Sequence, residues 1–518
     1  MSTILEQIPS PMGSDQLTLV EQLVLWARRR IDERVFRPGL RMPSIRRLAS
    51  EKGVSPATVV DAYERLVSQG YLEARRGSGF YVLERLNEQP GSAYHMGTGP
   101  SAATMNAAVR NGSGAAPGAT VRSANTPSGS RARSAGATLP SAAAIDVPWL
   151  LNNIMHHSAP EKAPGLGFLP TDWLDAEMLA QAVKRIGRQN GGALLRYGLP
   201  QGSLPLRQQL QIHLAGLEIG ATPEQIVTLS GITNAVDLIS RLYLQPGDAV
   251  LVGDPAWFQM FGRIVGQGAR LLGVPYTANG PDLDALEMLA QTWRPKLMVI
   301  NSVLHNPTGT SLSAAQAYRI LQIAERYDFI IVEDDIYGDL CPPNHPAVRL
   351  ASLDQLRRVI YAGSFSKTLA PNLRVGYVAC DAVLAKRISD QKLLAALTTP
   401  ELGERIIYGV LTEGHYRRHV ERLRHKLDGV RAAAIAALKQ AGATLLCEPE
   451  AGMFVWANVH SDSSAMAAAA HEAGFLLAPG ALFSPSQTPS TYLRLNICSS
   501  THPDFLLFLT DYIQRHGQ

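Results

Sequence analysis

From about Leu86 to Ile145 the chain carries Ser, Ala, Gly, Thr and Pro and almost no large apolar side chains. Such a stretch cannot bury enough surface to offset the entropy of ordering it, so it reads as a flexible linker. It divides the 518 residues into separate folding units. A linker of this length has an r.m.s. span on the order of 40 Å. Before it lies a unit at about residues 15–85, and after it the rest of the chain, 146–518. Length alone suggests roughly three or four domains, so the second segment has room for a smaller subdomain, placed at about 405–518. Four arginines in the linker (Arg110, Arg122, Arg131, Arg133) have no acids nearby; contact with DNA phosphates is open to them, and solubility is the favoured reading.

The first unit has the punctuation of a small helical fold. Leu19–Ile31 is amphipathic, and Pro38 and Gly39 make a turn. Ser44 caps a short helix running to about Glu51, which Gly53 closes. Ser55 is an N-cap with Pro56 at the first helical position, and that helix runs to Gln69 before Gly70. Two helices joined by a short turn containing glycine form a helix-turn-helix. Tyr71–Ala74 and Phe80–Leu83 then flank Arg75, Arg76, Gly77, Ser78 and Gly79, which predicts a two-stranded wing with a basic tip. Between Arg28 and Arg76 basic residues outnumber acidic ones about two to one, whereas the whole chain is only mildly basic at +4. Charge placement, more than total charge, points to a polyanion.

These residues, from Arg41-Met42-Pro43-Ser44-Ile45-Arg46 through Gly53, Ser55, Thr58, Tyr63, Leu66 and Gly70 to Arg76-Gly77-Ser78-Gly79, resemble the GntR-type winged helix. The resemblance implies that Ser44 and Arg46 hold phosphates, and it gives Arg41 to the DNA-binding surface as well. It places the start of the Ser55 helix in the major groove and the wing around Arg76, Gly77, Ser78 and Gly79 in the minor groove. Many relatives are basic at the positions of Pro56 or Asp61, and this chain is not. Base readout then falls to Ser55, Ala57 and Thr58, which offer hydroxyls and methyl groups instead of a bidentate arginine.

From Asp146 onward short apolar runs alternate with amphipathic stretches. Ala249–Val252, Leu297–Ile300, Phe329–Val332 and Val359–Tyr361 are the clearest, and they predict an α/β fold with a buried, mostly parallel sheet. A long helix is expected from about Gly403 to Gln440, followed by a smaller α+β unit.

The run Gly363-Ser364-Phe365-Ser366-Lys367, with Arg374 one short loop later, carries the chemistry of this second unit. Lysine forms imines with aldehydes, and hydroxyls plus an arginine suit a phosphate. Pyridoxal phosphate (PLP) has both an aldehyde and a phosphate. Its other needs find candidates in order along the chain. A protonated ring nitrogen needs a buried carboxylate, and Glu333-Asp334-Asp335 follows a strand. The ring hydroxyl needs donors, offered by Tyr337 and Asn306. The phosphate needs backbone donors at a helix start, and Ser230-Gly231-Ile232-Thr233 lies between a strand and a helix. The ring needs a stacking face, and Trp257 follows another strand. Each motif alone is weak, but their conjunction at strand ends is not.

That order resembles the fold-type I PLP enzymes of the aspartate aminotransferase superfamily, over about residues 165 to 515. The resemblance implies that Asp334 pairs the ring nitrogen and that Tyr337 and Asn306 hold the ring hydroxyl. It gives Ser364, Ser366, Arg374, Gly231, Ile232 and Thr233 to the phosphate and Trp257 to the ring. Tyr197 would reach the phosphate of a neighbouring subunit, which implies a twofold homodimer. Arg494 would grip a substrate carboxylate. Ile232 stands where a polar residue is frequent, so its amide is the expected donor.

A GntR-type winged helix, a linker and an aminotransferase-like domain in one chain resemble the MocR group of bacterial regulators. The resemblance implies a transcriptional regulator that binds an operator in double-stranded DNA. It would sense an amino acid, an amine or PLP itself through an internal aldimine at Lys367. A working aminotransferase with an appended DNA-binding domain needs the same residues, so both readings stand at this point. Four cysteines without CxxC spacing fit reduced thiols and offer no zinc site. No signal peptide and no membrane span are expected, and no metal, so the expected location is the cytoplasm.

Overall fold

The computed structural model describes residues 17–75, 77–83, 160–189, 195–345 and 347–517. The expected linker, with its four arginines, lies outside the described residues, and so does Arg76.

The first unit is three helices and a hairpin. Helix α1 (Leu19–Asp32) starts in a capping box between Thr18 and Glu21. Helix α2 (Ile45–Lys52) is capped by Ser44 and ends at Gly53, which takes φ +64°. Helix α3 (Pro56–Ser68) begins at Ser55, whose side chain accepts from the Thr58 amide. Strands β1 (Leu72–Arg75) and β2 (Gly79–Val82) pair antiparallel, with Leu72 opposite Val82 and Arg75 opposite Gly79. Each wing strand is shifted by one residue from its expected bounds. Leu23, Ala27, Leu48, Val59, Ala62, Leu66 and Leu72 close one core, and Tyr63 Oη donates to the Pro43 carbonyl across it.

The second unit is built on an eight-stranded sheet. Its strands are β3 (Ile226–Leu229), β4 (Ala249–Asp254), β5 (Arg270–Thr277), β6 (Gly280–Pro281), β7 (Leu297–Ile300), β8 (Ile330–Asp334), β9 (Val359–Ser364) and β10 (Gly376–Ala379). They lie in the order β3-β10-β9-β8-β7-β4-β5-β6. From β5 through β4, β7 and β8 to β9 the pairing is parallel. Strand β10 runs antiparallel to both β9 and β3. The C-terminal ends of β3, β4, β7, β8 and β9 therefore share one edge, where ligands bind in open α/β sheets. A second sheet orders β11 (Thr444–Leu445), β12 (Phe454–Asn458), β14 (Tyr492–Asn496) and β13 (Ala478–Pro479) as β11-β12-β14-β13.

The expected single helix from about Gly403 to Gln440 is corrected to two. Glu401–Thr412 and His415–Gln440 are separated at Glu413-Gly414, and Gly414 takes φ +75°. A glycine in that left-handed conformation interrupts the α-helical hydrogen-bond ladder. Among the described residues no helix is long and apolar enough to cross a membrane, and no group of His, Cys, Asp and Glu could hold a metal ion.

Candidate functional site

A cavity of about 590 Å³ opens at the shared strand edge. Gly231, Ile232, Thr233, Trp257, Asn306, Asp334, Tyr337, Ser364, Ser366, Lys367, Arg374 and Arg494 all line it. The turn after β3 supplies the first three, the segment after β4 supplies Trp257, and the loop after β7 supplies Asn306. Strand β8 ends on Asp334 and β9 on Ser364, while Arg374 sits just before β10. Tyr197 does not line this cavity. It is 80% exposed, in a separate cleft with Leu199, Glu401, Arg405 and Tyr408.

Lys367 Nζ donates to the Gly167 carbonyl at 2.7 Å and lies 4.2 Å from the centre of the Phe168 ring. Burial pushes its pKa down to about 7, with Arg494 and Arg374 adding to the shift and Asp334 opposing it. An amine with a substantial neutral fraction near pH 7 is a nucleophile, which an ordinary lysine is not.

The acids at the end of β8, Glu333 and Asp334 in the strand and Asp335 just after it, separate by the alternation of an extended chain. Glu333 accepts from the Leu350 and Ala351 amides at 2.6 and 2.8 Å, and from Ser302. Asp335 accepts from Arg349 Nε at 2.6 Å and from Tyr361 Oη at 2.7 Å. Asp334 alone of the three lines the cavity. Its carboxylate accepts from the Ile336 amide at 3.1 Å, yet burial raises its pKa to about 7. A cationic ring nitrogen beside it would reverse that shift.

The residues expected to hold a phosphate form a cradle. Arg374 Nη2 donates to the Ser230 carbonyl at 2.7 Å and Nη1 to Ser366 Oγ at 3.4 Å. Ser364 Oγ donates to Ser366 Oγ at 3.1 Å. Gly231 is the N-cap of helix Ile232–Tyr243, so the first amides of that helix open toward the cradle. The Ile232 side chain is buried in the core behind, which leaves its amide as the polar group. Gly231 takes φ +89°, and a Cβ there would stand 2.7 Å from Arg374 Nη2. Gly231→Ala is therefore expected to weaken retention of PLP about tenfold or more, because the methyl group pushes Arg374 off the cradle and a hydrogen bond to a charged group contributes roughly 1.5–3 kcal/mol. Equilibrium dialysis reads the change, and unaltered retention would show that Arg374 can swing clear.

Arg494 is buried on β14, with its guanidinium 4.6 Å from the centre of the Phe454 ring and 5.0 Å from that of Phe483. Nη1 donates to Asn306 Oδ1 at 3.0 Å and Nη2 to the Gly165 carbonyl at 2.5 Å. Its Nε is buried without a hydrogen-bond partner, an unpaired donor that calls for an explanation. Asn306 Nδ2 in turn donates to Tyr337 Oη at 3.3 Å. An orphaned guanidinium nitrogen, a cradle that excludes a Cβ and a buried acid opposite a low-pKa lysine together match the donor set that PLP and an amino acid need.

Sequence reasoning missed the segment around Gly165-Leu166-Gly167-Phe168. Asn496 Nδ2 on β14 donates to the Leu166 and Phe168 carbonyls at 3.1 and 2.7 Å. A Cβ on Gly165 would meet the Ala478 backbone nitrogen at 2.5 Å. Two glycines in four residues were the available signal.

On the first unit, Arg41, Ser44, Arg46, Ser55, Ala57, Gly77 and Gly79 are exposed, and Thr58 and Ser78 are half-buried. Ser55 Oγ and Thr58 Oγ1 share a hydrogen bond of 2.8 Å. Part of the hydroxyl capacity at the start of α3 is therefore spent locally.

Comparison with known proteins follows the same division. Residues 165–506 match the family model described as aminotransferase class I and II. Residues 19–82 match that of the bacterial regulatory proteins of the gntR family. The chain is 26% identical over 507 residues to the uncharacterized HTH-type transcriptional regulator YdfD of Bacillus subtilis, covering 96% of each. It is 27% identical over 390 residues to the probable rhizopine catabolism regulatory protein MocR of Rhizobium meliloti, covering 74% of this chain and 70% of that one. Among solved structures, the kynurenine aminotransferase of Pyrococcus horikoshii, in complex with PMP, superposes with a TM-score of 0.66 at 26% identity. That match covers 72% of this chain and 95% of the other.

Proposed function

The chain belongs to the aminotransferase class I and II family and carries a gntR-family unit ahead of it, and from that premise we propose a PLP-dependent, DNA-binding transcriptional regulator. Its signal is an amino acid, an amine or PLP itself, received at Lys367. The observation that carries this reading is the convergence of Lys367, Asp334, Arg374 and Arg494 on one cavity in a chain that also has a winged helix.

When bound, PLP supplies an aldehyde that bonds to an amine and a ring that draws off electrons. Ser364, Ser366, Arg374 and the first amides of helix Ile232–Tyr243 would hold the phosphate. Asp334 would favour a proton on the ring nitrogen, Tyr337 and Asn306 would serve the ring hydroxyl, and Trp257 would serve the ring. Lys367 would offer the amine for the aldehyde, and Arg494 would favour amines that also carry a carboxylate. The assembly is a twofold homodimer. Exposed Leu195, Tyr197 and Leu199, with Leu394, Leu397 and Tyr408, support that reading, because such apolar surface marks an interface. Two winged helices would then meet two half-sites of an operator in the cytoplasm.

The test is a screen of amino acids and amines against the PLP-loaded protein, with absorbance and operator affinity followed together. At least one compound is expected to change both over the same concentration range. A second reading, a working aminotransferase, is favoured by the same cavity, because transfer of an amino group needs the same side chains. Sustained transfer to 2-oxoglutarate on the order of 1 per second or more, with operator affinity unmoved, would establish that reading instead.

A further inference from the structure

The residue after Lys367 ties the cofactor site to one turn of one helix. Thr368 is fully buried, and both of its polar ends meet helix His415–Gln440. Its carbonyl accepts from His419 Nε2 at 2.7 Å. Its Oγ1 lies 2.8 Å from Tyr416 Oη. Tyr416 Oη gives its single hydrogen to the Asp339 carboxylate, so Thr368 is the donor in the other bond. Asp339 lies two residues beyond Tyr337, on the segment that leaves the site after β8. Both chain segments that leave the site toward this helix are thus fastened to its first turn.

The opposite side of that turn holds the DNA-binding unit. Arg418 Nη1 lies 3.3 Å from Asp61 Oδ1, and its Nε lies 3.1 Å from Glu64 Oε2, both on α3. Around this pair, Gln69 Nε2 donates to the Thr412 carbonyl at 3.2 Å and Gln209 Nε2 to the Ser68 carbonyl at 2.6 Å. Gly414, where the two helices part, packs on the Glu64 backbone. Asp61 and Glu64 follow Thr58 at intervals of three, so they continue the stripe of α3 that begins with the base-reading residues. The ion pairs are half exposed and therefore weak, as a contact that must exchange between two arrangements has to be.

We propose that the surface formed by Gln209, Thr412 and Arg418 is a docking surface for α3. Through it, the first turn of helix His415–Gln440 carries the state of Lys367 to the DNA-binding unit. Tyr416 and His419 sense the position of the Lys367-Thr368 segment, and Arg418 holds α3 through Asp61 and Glu64. A rigid helix fastened at both sides moves as a unit, so a shift at Thr368 changes the hold on α3. This rests on the regulator reading above.

The test uses the full-length protein, with PLP itself as the probe. Operator affinity is measured with and without PLP in the unaltered protein, Arg418→Ala, Arg418→Lys and Tyr416→Phe, and absorbance reports loading in each. The two affinities of the unaltered protein are expected to differ by about fivefold or more, as coupled sites do. In Arg418→Ala and Tyr416→Phe the ratio should fall to about one while loading persists, and Arg418→Lys should keep part of it. If both variants keep the full ratio, the docking surface is not the coupling element, and the regulator reading stands. If Arg418→Ala loses operator binding with and without PLP, the contact is only structural and the inference fails. If the unaltered protein responds neither to PLP nor to any amine, the regulator reading fails and takes this inference with it.

Discussion

Protein reconstituted with PLP is expected to be yellow and to keep the cofactor through borohydride reduction and denaturation, whereas Lys367→Ala is expected to be colourless and to release it. Among the described residues lining the cavity, Lys367 is the one lysine, with its amine 2.7 Å from the Gly167 carbonyl and against the Phe168 ring. Its pKa of about 7 has a consequence that a surface lysine lacks. Burial and the two nearby arginines disfavour the charged ammonium, so the neutral amine predominates from about pH 7 upward. Uptake of PLP by the empty protein should therefore rise about tenfold per pH unit below neutrality and level off above it. An exposed lysine would keep rising toward its ordinary pKa of about 10.4. Lys367→Ala leaves Arg374, Ser364 and Ser366, the proposed phosphate holders, in place, so a weak, dialysable binding should persist. A Lys367→Ala protein that is yellow before reduction and still holds its cofactor covalently after borohydride and denaturation would move the reactive amine elsewhere and sink the assignment.

The sheet edge was legible because each motif followed a short apolar run, and runs that pair in parallel end on the same side. Residue roles within a motif were less so. Three consecutive acids look alike in a sequence, and the resemblance, not the pattern, singled out Asp334. The structure gives the physical reason: alternation at the end of β8 and just past it sends Glu333 and Asp335 to buried partners on one face and Asp334 to the other. The segment carrying Gly167 and Phe168 has no periodicity of its own. It is placed by Asn496, more than three hundred residues away, and no local pattern encodes a contact of that kind. Helices Glu401–Thr412 and His415–Gln440 merged in the sequence because their apolar spacing runs on across Gly414, and one glycine is tolerated inside many helices. The ion pairs of Arg418 with Asp61 and Glu64 were invisible for a further reason. Asp61 was weighed as a position where a DNA contact was lacking, and a second partner for it within the chain has no local signature.

Operator binding is expected to weaken steeply with salt, and Arg46→Ala is expected to flatten that dependence. Arg46 stands exposed in the first turn of α2, next to the Ser44 cap and one short turn before α3. A side chain there meets the DNA backbone when the start of α3 enters the major groove. Each phosphate contact contributes about 0.9 to the slope of log K against log salt. The proposed twofold dimer would lose two such contacts in Arg46→Ala, so its slope should be shallower by about 1.8. Because a phosphate carries no base identity, the loss should be the same for every operator variant. Thr58→Ala should do the reverse, altering preference among operator sequences while leaving the slope in place. Thr58 Oγ1 already shares a hydrogen bond with Ser55, so removing it disturbs both candidates for base readout at once. A slope that Arg46→Ala leaves unchanged would remove α2 from the DNA backbone. Binding insensitive to salt would remove the winged helix from DNA altogether, and the cavity around Lys367 would then belong to an enzyme.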